Sequence, residues 1–321
     1  MDCCELRILF AGNPEISVPT LKALASAFNV VGVVTNPDRP AGRGKRLEAP
    51  PVKSAALELG LPVLQYERLM RQAREEVSQL QPDLLVSFAC GHYFGPKFLG
   101  LFPQGAINIH PSLLPLYRGC APIQGALLHG DAITGISIQR IVAEVDCGDI
   151  LASQPILLEG TETTETLSAI ASRISAELIV PTLERLCAGD LLEHPQDNDK
   201  ASYSGMLSKQ DGIIDWTQSA REIHAKVRAL YPWPKASTTY GGVPLIISAV
   251  DGPVSEAGKE TVQGQQVPGT VVRLDKKRGL AIACGDGLLF VRRLQLSMKK
   301  ELDSQSFVNG NPGIIGSIMG T

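Results

Sequence analysis

The chain has 321 residues, 44% of them hydrophobic and 20% charged, with a formal net charge of -3. This apolar content suits two cored domains rather than a disordered chain, and the slightly acidic balance excludes a surface that attracts polyanions everywhere, so any nucleic acid must be met by a local patch. The seven cysteines, at 3, 4, 90, 120, 147, 187 and 284, form neither a CxxC pair nor an even framework, which argues against a disulfide scaffold and a zinc site.

The opening MDCCELRILFAG has no basic region followed by a long apolar run, so neither a signal peptide nor a membrane span is expected, and a cytoplasmic location is the default. LRILFAG at 6–12 and VVGVVT at 30–35 read as strands around a helix-like VPTLKALASAF at 18–28. A helix-like VKSAALELG and strand-like LPVLQ, DLLVSFA (83–89) and GAINIH (105–110) follow. This βαβα rhythm predicts an α/β fold: a doubly wound, mostly parallel, Rossmann-like sheet with helices on both faces. Residues 36–52, NPDRPAGRGKRLEAPPV, are too rich in Pro, Gly and charge for helix or strand and read as a long loop. Its cations, Arg39, Arg43, Lys45 and Arg46, with Lys53 just beyond, outnumber Asp38 and Glu48.

A capped helix is expected over 163–188, then a polar linker around HPQDNDKASYSG. The remainder opens with a helix-like SAREIHAKVRAL at 219–230 and continues as short strands (PLIISAV, GTVVRL, GLAIAC, GLLFVRRL), the pattern of a small OB-like β-barrel. The expected division is 1–193 for a catalytic domain, 194–208 for the linker and 209–321 for the barrel.

The chemistry concentrates at Asn108-Ile-His110-Pro-Ser112-Leu113-Leu114-Pro115-Leu-Tyr117-Arg118-Gly119, where a strand of the sheet ends. Ligands of open α/β sheets bind beyond the carboxyl ends of the strands, and Asn108 and His110, two residues apart, share one side. A second polar cluster, Glu144-Val-Asp146-Cys-Gly148-Asp149, follows the alternating strand TGISIQRIV and can return to the same edge, where a carboxylate would orient an imidazole. GxSxG, HExxH, GxGxxG and the P-loop spacing are all absent.

NIHPSLLPLYRGCAPIQ with VDCGDI downstream resembles the folate-dependent formyltransferase family. The resemblance implies that Asn108, His110 and Asp146 form the catalytic set, that Ser112, Leu113, Leu114 and Pro115 form the tetrahydrofolate-binding stretch, and that Phe88, Ala89, Cys90 and Gly91 line the pterin pocket. It implies 10-formyltetrahydrofolate as cosubstrate, no metal, and a monomer. The loop TNPDRPAGRGKRLEAPPVK, the segment around Asp215, Trp216, Pro232 and Trp233, and the tail LSMKKELDSQSFVNG are similar to the branch of the family that formylates initiator methionyl-tRNA. Arg39, Arg43, Lys45 and Arg46 are then expected at the tRNA acceptor end, with 276–278 and 292–293 steadying its body. The alternative within the family is a 10-formyltetrahydrofolate hydrolase or a nucleotide-sugar formyltransferase. Asn13 and Cys90-Gly91-His92 depart from the family's usual residues. For the transfer itself, Asn108 and His110 are expected to donate to the oxyanion, with Asp146 orienting His110 and relaying a proton.

Overall fold

The computed structural model describes residues 5–41, 46–252 and 266–320. The chain folds into two compact units. The first comprises the residues up to Pro122, Thr134–Ile156 and Ser168–Tyr203; the second comprises Ile123–Ile133, Leu157–Leu167 and the residues from Ser204 onward.

The expected strand–helix alternation opens the first unit as β1 (Arg7–Gly12), α1 (Val18–Ala27) and β2 (Asn29–Thr35). Next come a hairpin, β3 (Arg39–Ala41) and β4 (Arg46–Glu48), then α2 (Pro51–Glu58), β5 (Val63–Gln65), α3 (Arg71–Gln79), β6 (Leu84–Phe88), α4 (Pro96–Leu99) and β7 (Ala106–His110). The chain continues through β8 (Arg118–Gly119), α5 (Pro122–His129), β9 (Ile133–Arg140), β10 (Ile150–Leu157) and the long helix α6 (Thr164–Ala188).

Seven strands form one sheet in the order β10-β9-β7-β6-β1-β2-β5. β1 pairs parallel with β2 and β6, β6 with β7, and β2 with β5, while β9 runs antiparallel to β7. The doubly wound, mostly parallel expectation therefore holds. Every residue of β6 is buried, as a strand covered on both faces requires. The strand order changes direction between β1 and β6, and that switch opens a crevice beyond their carboxyl ends.

The stretch 36–52, expected as irregular loop, contains the antiparallel β3–β4 hairpin, with Arg39 opposite Glu48 and Ala41 opposite Arg46. Pro40 fits because a two-stranded ribbon leaves one side of each strand free of ladder bonds, so a residue without an N–H is tolerated there. Residues 194–203, expected as linker, are hydrogen-bonded into the first unit. His194 bridges Ile150, and β11 (Tyr203–Ser204) pairs with β8.

In the second unit, α7 (Ala220–Ala229) starts at a reciprocal cap, Ser219 accepting from the Glu222 N–H and Glu222 accepting from the Ser219 N–H. The strands β12 (Ala236–Tyr240), β13 (Val243–Val250), β14 (Val271–Asp275), β15 (Gly279–Cys284) and β16 (Gly287–Leu296) form an antiparallel sheet, with β17 (Leu302–Asp303) beside β16 and α8 (Ser304–Gly310) after it. The segment after α8 closes the sheet. The Gly316 N–H donates to Val271 on one edge strand, and the Gly320 N–H donates to Thr239 on the other. Ile223, Val227, Leu245, Ile247, Leu280, Val291 and Phe307 fill the interior of this small barrel.

Candidate active site

Strand alternation puts Asn108 and His110 on one side of β7, Asn108 in register with Gln139 of β9 and His110 with Ser137. After β9 the chain loops through 141–148. The base of that loop is pinned where the Arg140 N–H donates to the Asp149 carbonyl at 2.9 Å. Gly148 is packed so closely that a Cβ would fall on the Arg140 carbonyl oxygen, which only glycine avoids. The loop thereby returns Asp146 to the end of β7, at φ +56°, a left-handed conformation costly for a residue with a side chain.

Three donors surround the Asp146 carboxylate. Gln139 Nε2 donates to Oδ1 at 2.7 Å, the Gly119 N–H to Oδ2 at 2.9 Å, and Asn108 Nδ2 to Oδ1 at 3.4 Å. His110 Nδ1 stands 3.6 Å from Oδ2, an ion-pair distance longer than a hydrogen bond. The imidazole is oriented from its other side, where Nε2–H donates to the Tyr117 carbonyl at 2.8 Å. Burial holds the His110 pKa below its ordinary value, against the opposing pull of the Asp146 charge and the Tyr117 carbonyl. The neutral ring then carries its proton on Nε2 and presents an Nδ1 lone pair toward Asp146. His110 in this form has no spare N–H for an oxyanion, and Asn108 has one.

These groups meet at a cavity of about 640 Å³ lined by residues 89–94 after β6, the end of β7, Gly119–Cys120 and the 139–146 stretch. That volume suits a drug-sized organic ligand. Ala89, Cys90 and Gly91 are in the wall; Phe88 is wholly buried in β6 and is not. Ser112, Leu113, Leu114 and Pro115 also lie outside the wall. Ser112 is buried with its hydroxyl donating to the Leu116 carbonyl at 2.6 Å, the Leu114 N–H donates to Ser137 Oγ, and the Leu113 side chain fills the space beside Gly135. The turn supports the strand end from behind.

Cys90 is buried, which pushes its thiol up to about 12. His92 Nε2–H donates to the Tyr66 carbonyl at 2.9 Å, leaving Nδ1 to accept from Cys90 Sγ at 3.3 Å. A neutral S–H held this way is a poor nucleophile.

The basic hairpin is built differently. Arg39 pairs with Glu67 at 2.8 Å and Lys53 with Asp38 at 2.8 Å, while Arg46 is exposed. Arg43 and Lys45 lie outside the described residues, as do Cys3 and Cys4. In the barrel, Arg278 and Arg292 both reach Asp251, and Arg293 pairs with Glu301.

Sequence reasoning missed Gln139 and Gln196, and named Tyr117 and Gly119 in the motif without giving either a role. Gln139 belongs to the buried run 134–139 of β9 and lies in register with Asn108; Tyr117 and Gly119 act through backbone groups, and Gln196 acts from the polar segment 194–203. Among the described residues no group of three or more His, Cys, Asp or Glu is placed to hold a metal ion, and no helix is long and apolar enough to cross a membrane.

A family model described as formyl transferase matches residues 6–183, and one described as formyl transferase, C-terminal domain, matches residues 206–312. A methionyl-tRNA formyltransferase of Roseiflexus castenholzii is 43% identical over 309 residues, 95% of this chain and 96% of that protein. One of Treponema denticola is 40% identical over 318 residues, 97% and 98% of the two chains. In fold, the chain resembles HypX from Aquifex aeolicus in complex with tetrahydrofolic acid, with a TM-score of 0.62 and 17% identity over 97% of this chain and 48% of that one. Two matching domains and full-length identity of this order place the chain in the methionyl-tRNA formyltransferase family.

Proposed function

We propose that this protein transfers the formyl group of 10-formyltetrahydrofolate to the α-amino group of initiator methionyl-tRNA, giving N-formylmethionyl-tRNA. The observation that carries the reading is the convergence of Asn108, His110 and Asp146 at the head of the cavity beyond β6 and β7. Family membership supplies the reaction, and the residue roles are inferred from the geometry.

Formyl transfer joins the amine nitrogen to the formyl carbon and then breaks that carbon's bond to the folate N10. Asn108 Nδ2, whose bond to Asp146 is long, donates to the oxyanion of the tetrahedral intermediate. His110 Nδ1 takes the proton released by the attacking amine, and the Asp146 charge 3.6 Å away stabilises the imidazolium so formed. The same proton passes to N10 as the carbon–nitrogen bond breaks, returning His110 to its neutral form. Ala89, Cys90 and Gly91 contact the folate from the wall, and Phe88 and Ser112–Pro115 hold that wall from behind. Arg39, Arg43, Lys45 and Arg46 meet tRNA phosphates near the acceptor end. Residues 1–193 carry the chemistry and 209–321 bind the body of the tRNA, joined through 194–208. The protein works as a cytoplasmic monomer.

The test is transfer of labelled formyl from 10-formyltetrahydrofolate, with charged initiator tRNA, glycinamide ribonucleotide, a nucleotide-sugar amine and water offered as acceptors. Formylated tRNA, lost in His110→Ala, is the expected result. Formate release, or formylation only of a small acceptor, overturns the substrate assignment and leaves the family intact.

A further inference from the structure

The segment between α6 and the second unit carries more hydrogen bonds into the site than a connector requires. We propose that Gln196 is a positioning residue for formyl transfer, the centre of a clamp in which residues 194–203 hold His110 and Asp146 in their working arrangement; this rests on the roles given to that pair above.

Gln196 Nε2 donates to the Asp146 carbonyl at 2.9 Å and the Gly148 carbonyl at 2.7 Å, and lies 3.2 Å from Gln139 Oε1. Its own Oε1 accepts from Arg118 Nε at 3.1 Å and Nη2 at 2.8 Å. Arg118 is itself buried, and Asn198 Oδ1 takes a further bond from Nη2 at 2.8 Å. The buried guanidinium can only donate, so it fixes which end of the Gln196 amide faces it and which faces the loop.

That orientation propagates. Because Gln196 Nε2 can only donate and lies 3.2 Å from Gln139, Gln139 keeps its oxygen on the Gln196 side and its Nε2 on the Asp146 carboxylate. With Gln196 gone, Gln139 Oε1 loses its partner and the side chain is held at this end by its Nε2 bond to the carboxylate alone. The Asp146 backbone also loses the donor on its carbonyl, while its left-handed conformation persists only where the surroundings over-determine it.

The far end of the segment holds the other catalytic group. Ser202 accepts from the Tyr117 N–H through Oγ and from the Arg118 N–H through its carbonyl, both at 2.9 Å. Those peptides lie beside the Tyr117 carbonyl that fixes His110 and the Gly119 N–H that holds Asp146. One ten-residue stretch, His194 to Tyr203, thus braces both members of the pair.

Full-length Gln196→Ala, Gln196→Glu, Lys200→Ala and Asp146→Asn proteins test this by kcat and by KM for each substrate, with unfolding midpoints taken alongside. Gln196→Glu keeps the shape and the Arg118 contact but removes the donors, so it separates positioning from folding. Both Gln196 variants are expected to lose roughly 10- to 100-fold in kcat, with each KM within about threefold of wild type. Lys200→Ala, an exposed change in the same segment, is expected to keep wild-type kcat. Gln196 variants with wild-type kcat beside an inactive Asp146→Asn overturn the clamp and leave the catalytic pair standing. So does a loss that appears in KM alone or is shared by Lys200→Ala. Full turnover in Asp146→Asn overturns the assignment of the pair, and the clamp falls with it.

Discussion

The Asn108–His110–Asp146 site and the β3–β4 hairpin both present polar side chains in the first unit, and they are held in opposite ways. At the site, each polar group meets a partner of fixed geometry, several of them backbone groups; on the hairpin, the described cations meet exposed carboxylates or solvent. A reacting atom must be met within tenths of an ångström, and a misplacement near 1 Å costs about 100-fold in rate. A phosphate needs only charge nearby, and exposed ion pairs, worth about 0–1 kcal/mol, exchange easily for it.

The contrast breaks most decisively at its tight end. His110→Ala and Asp146→Ala are expected to lower kcat by roughly 10²- to 10⁴-fold with smaller changes in KM. Steady-state turnover within tenfold of wild type in a folded variant would remove these residues from the chemistry.

The second unit offers the next largest test, because it too contains a group held by burial. His224 is a buried residue of α7, its Nδ1 accepting from Arg228 Nε at 3.2 Å, and burial together with the Arg228 charge lowers its pKa to about 4. Its pKa is depressed below the unfolded value of about 6.5, so its contribution to stability is complete above pH 6.5 and is lost as the pH falls toward 4. The loss across that window is on the order of 3 kcal/mol. Denaturant unfolding at a series of pH values should show a shallower acid decline in His224→Gln than in wild type; parallel curves would exclude His224 as the source.

Gly148→Ala probes the loop that delivers Asp146. Its methyl collides with the Arg140 backbone, which cannot swing aside as a side chain would, so a stability cost of about 1–3 kcal/mol is expected with a fall in kcat. A fully active, equally stable variant would show that the loop has room to move.

The smallest effect belongs to the hairpin. Arg46→Ala should raise KM for tRNA a few-fold, leave kcat unchanged and reduce the salt dependence of tRNA binding by about one unit of slope. An unchanged KM and slope would take Arg46 out of the tRNA path.

The same division decides what could be read from the sequence. The parallel sheet was legible because its strands are short apolar runs between helical stretches, and Asn108 and His110 because a polar pair at strand spacing interrupts such a run. Helix α3 was not, since RQAREEVSQ buries only Ala73 and Val77, and β12 was not, since ASTTY is polar. Gln196 carries no local signal: its value lies in bonds to residues 118, 139, 146 and 148, brought to it by the fold. For Ser112–Pro115 the sequence shows a proline-bracketed turn at the end of a strand, and the structure adds what holds that turn in place: the Ser112 hydroxyl on the Leu116 carbonyl and the Leu114 N–H on Ser137 Oγ.

The closure of the barrel by Gly316–Gly320 has a consequence for how the protein misbehaves when damaged. Those few residues satisfy the outer backbone groups of β14 at Val271 and of β12 at Thr239, while Ile214 covers β12 at Ser237. An uncovered edge is a template for any other extended chain. Proteolytic loss of Gly316–Gly320 would therefore bare the β14 edge at Val271 and the Thr239 end of β12, and the damaged molecules would be expected to self-associate while the active site in the first unit is still intact.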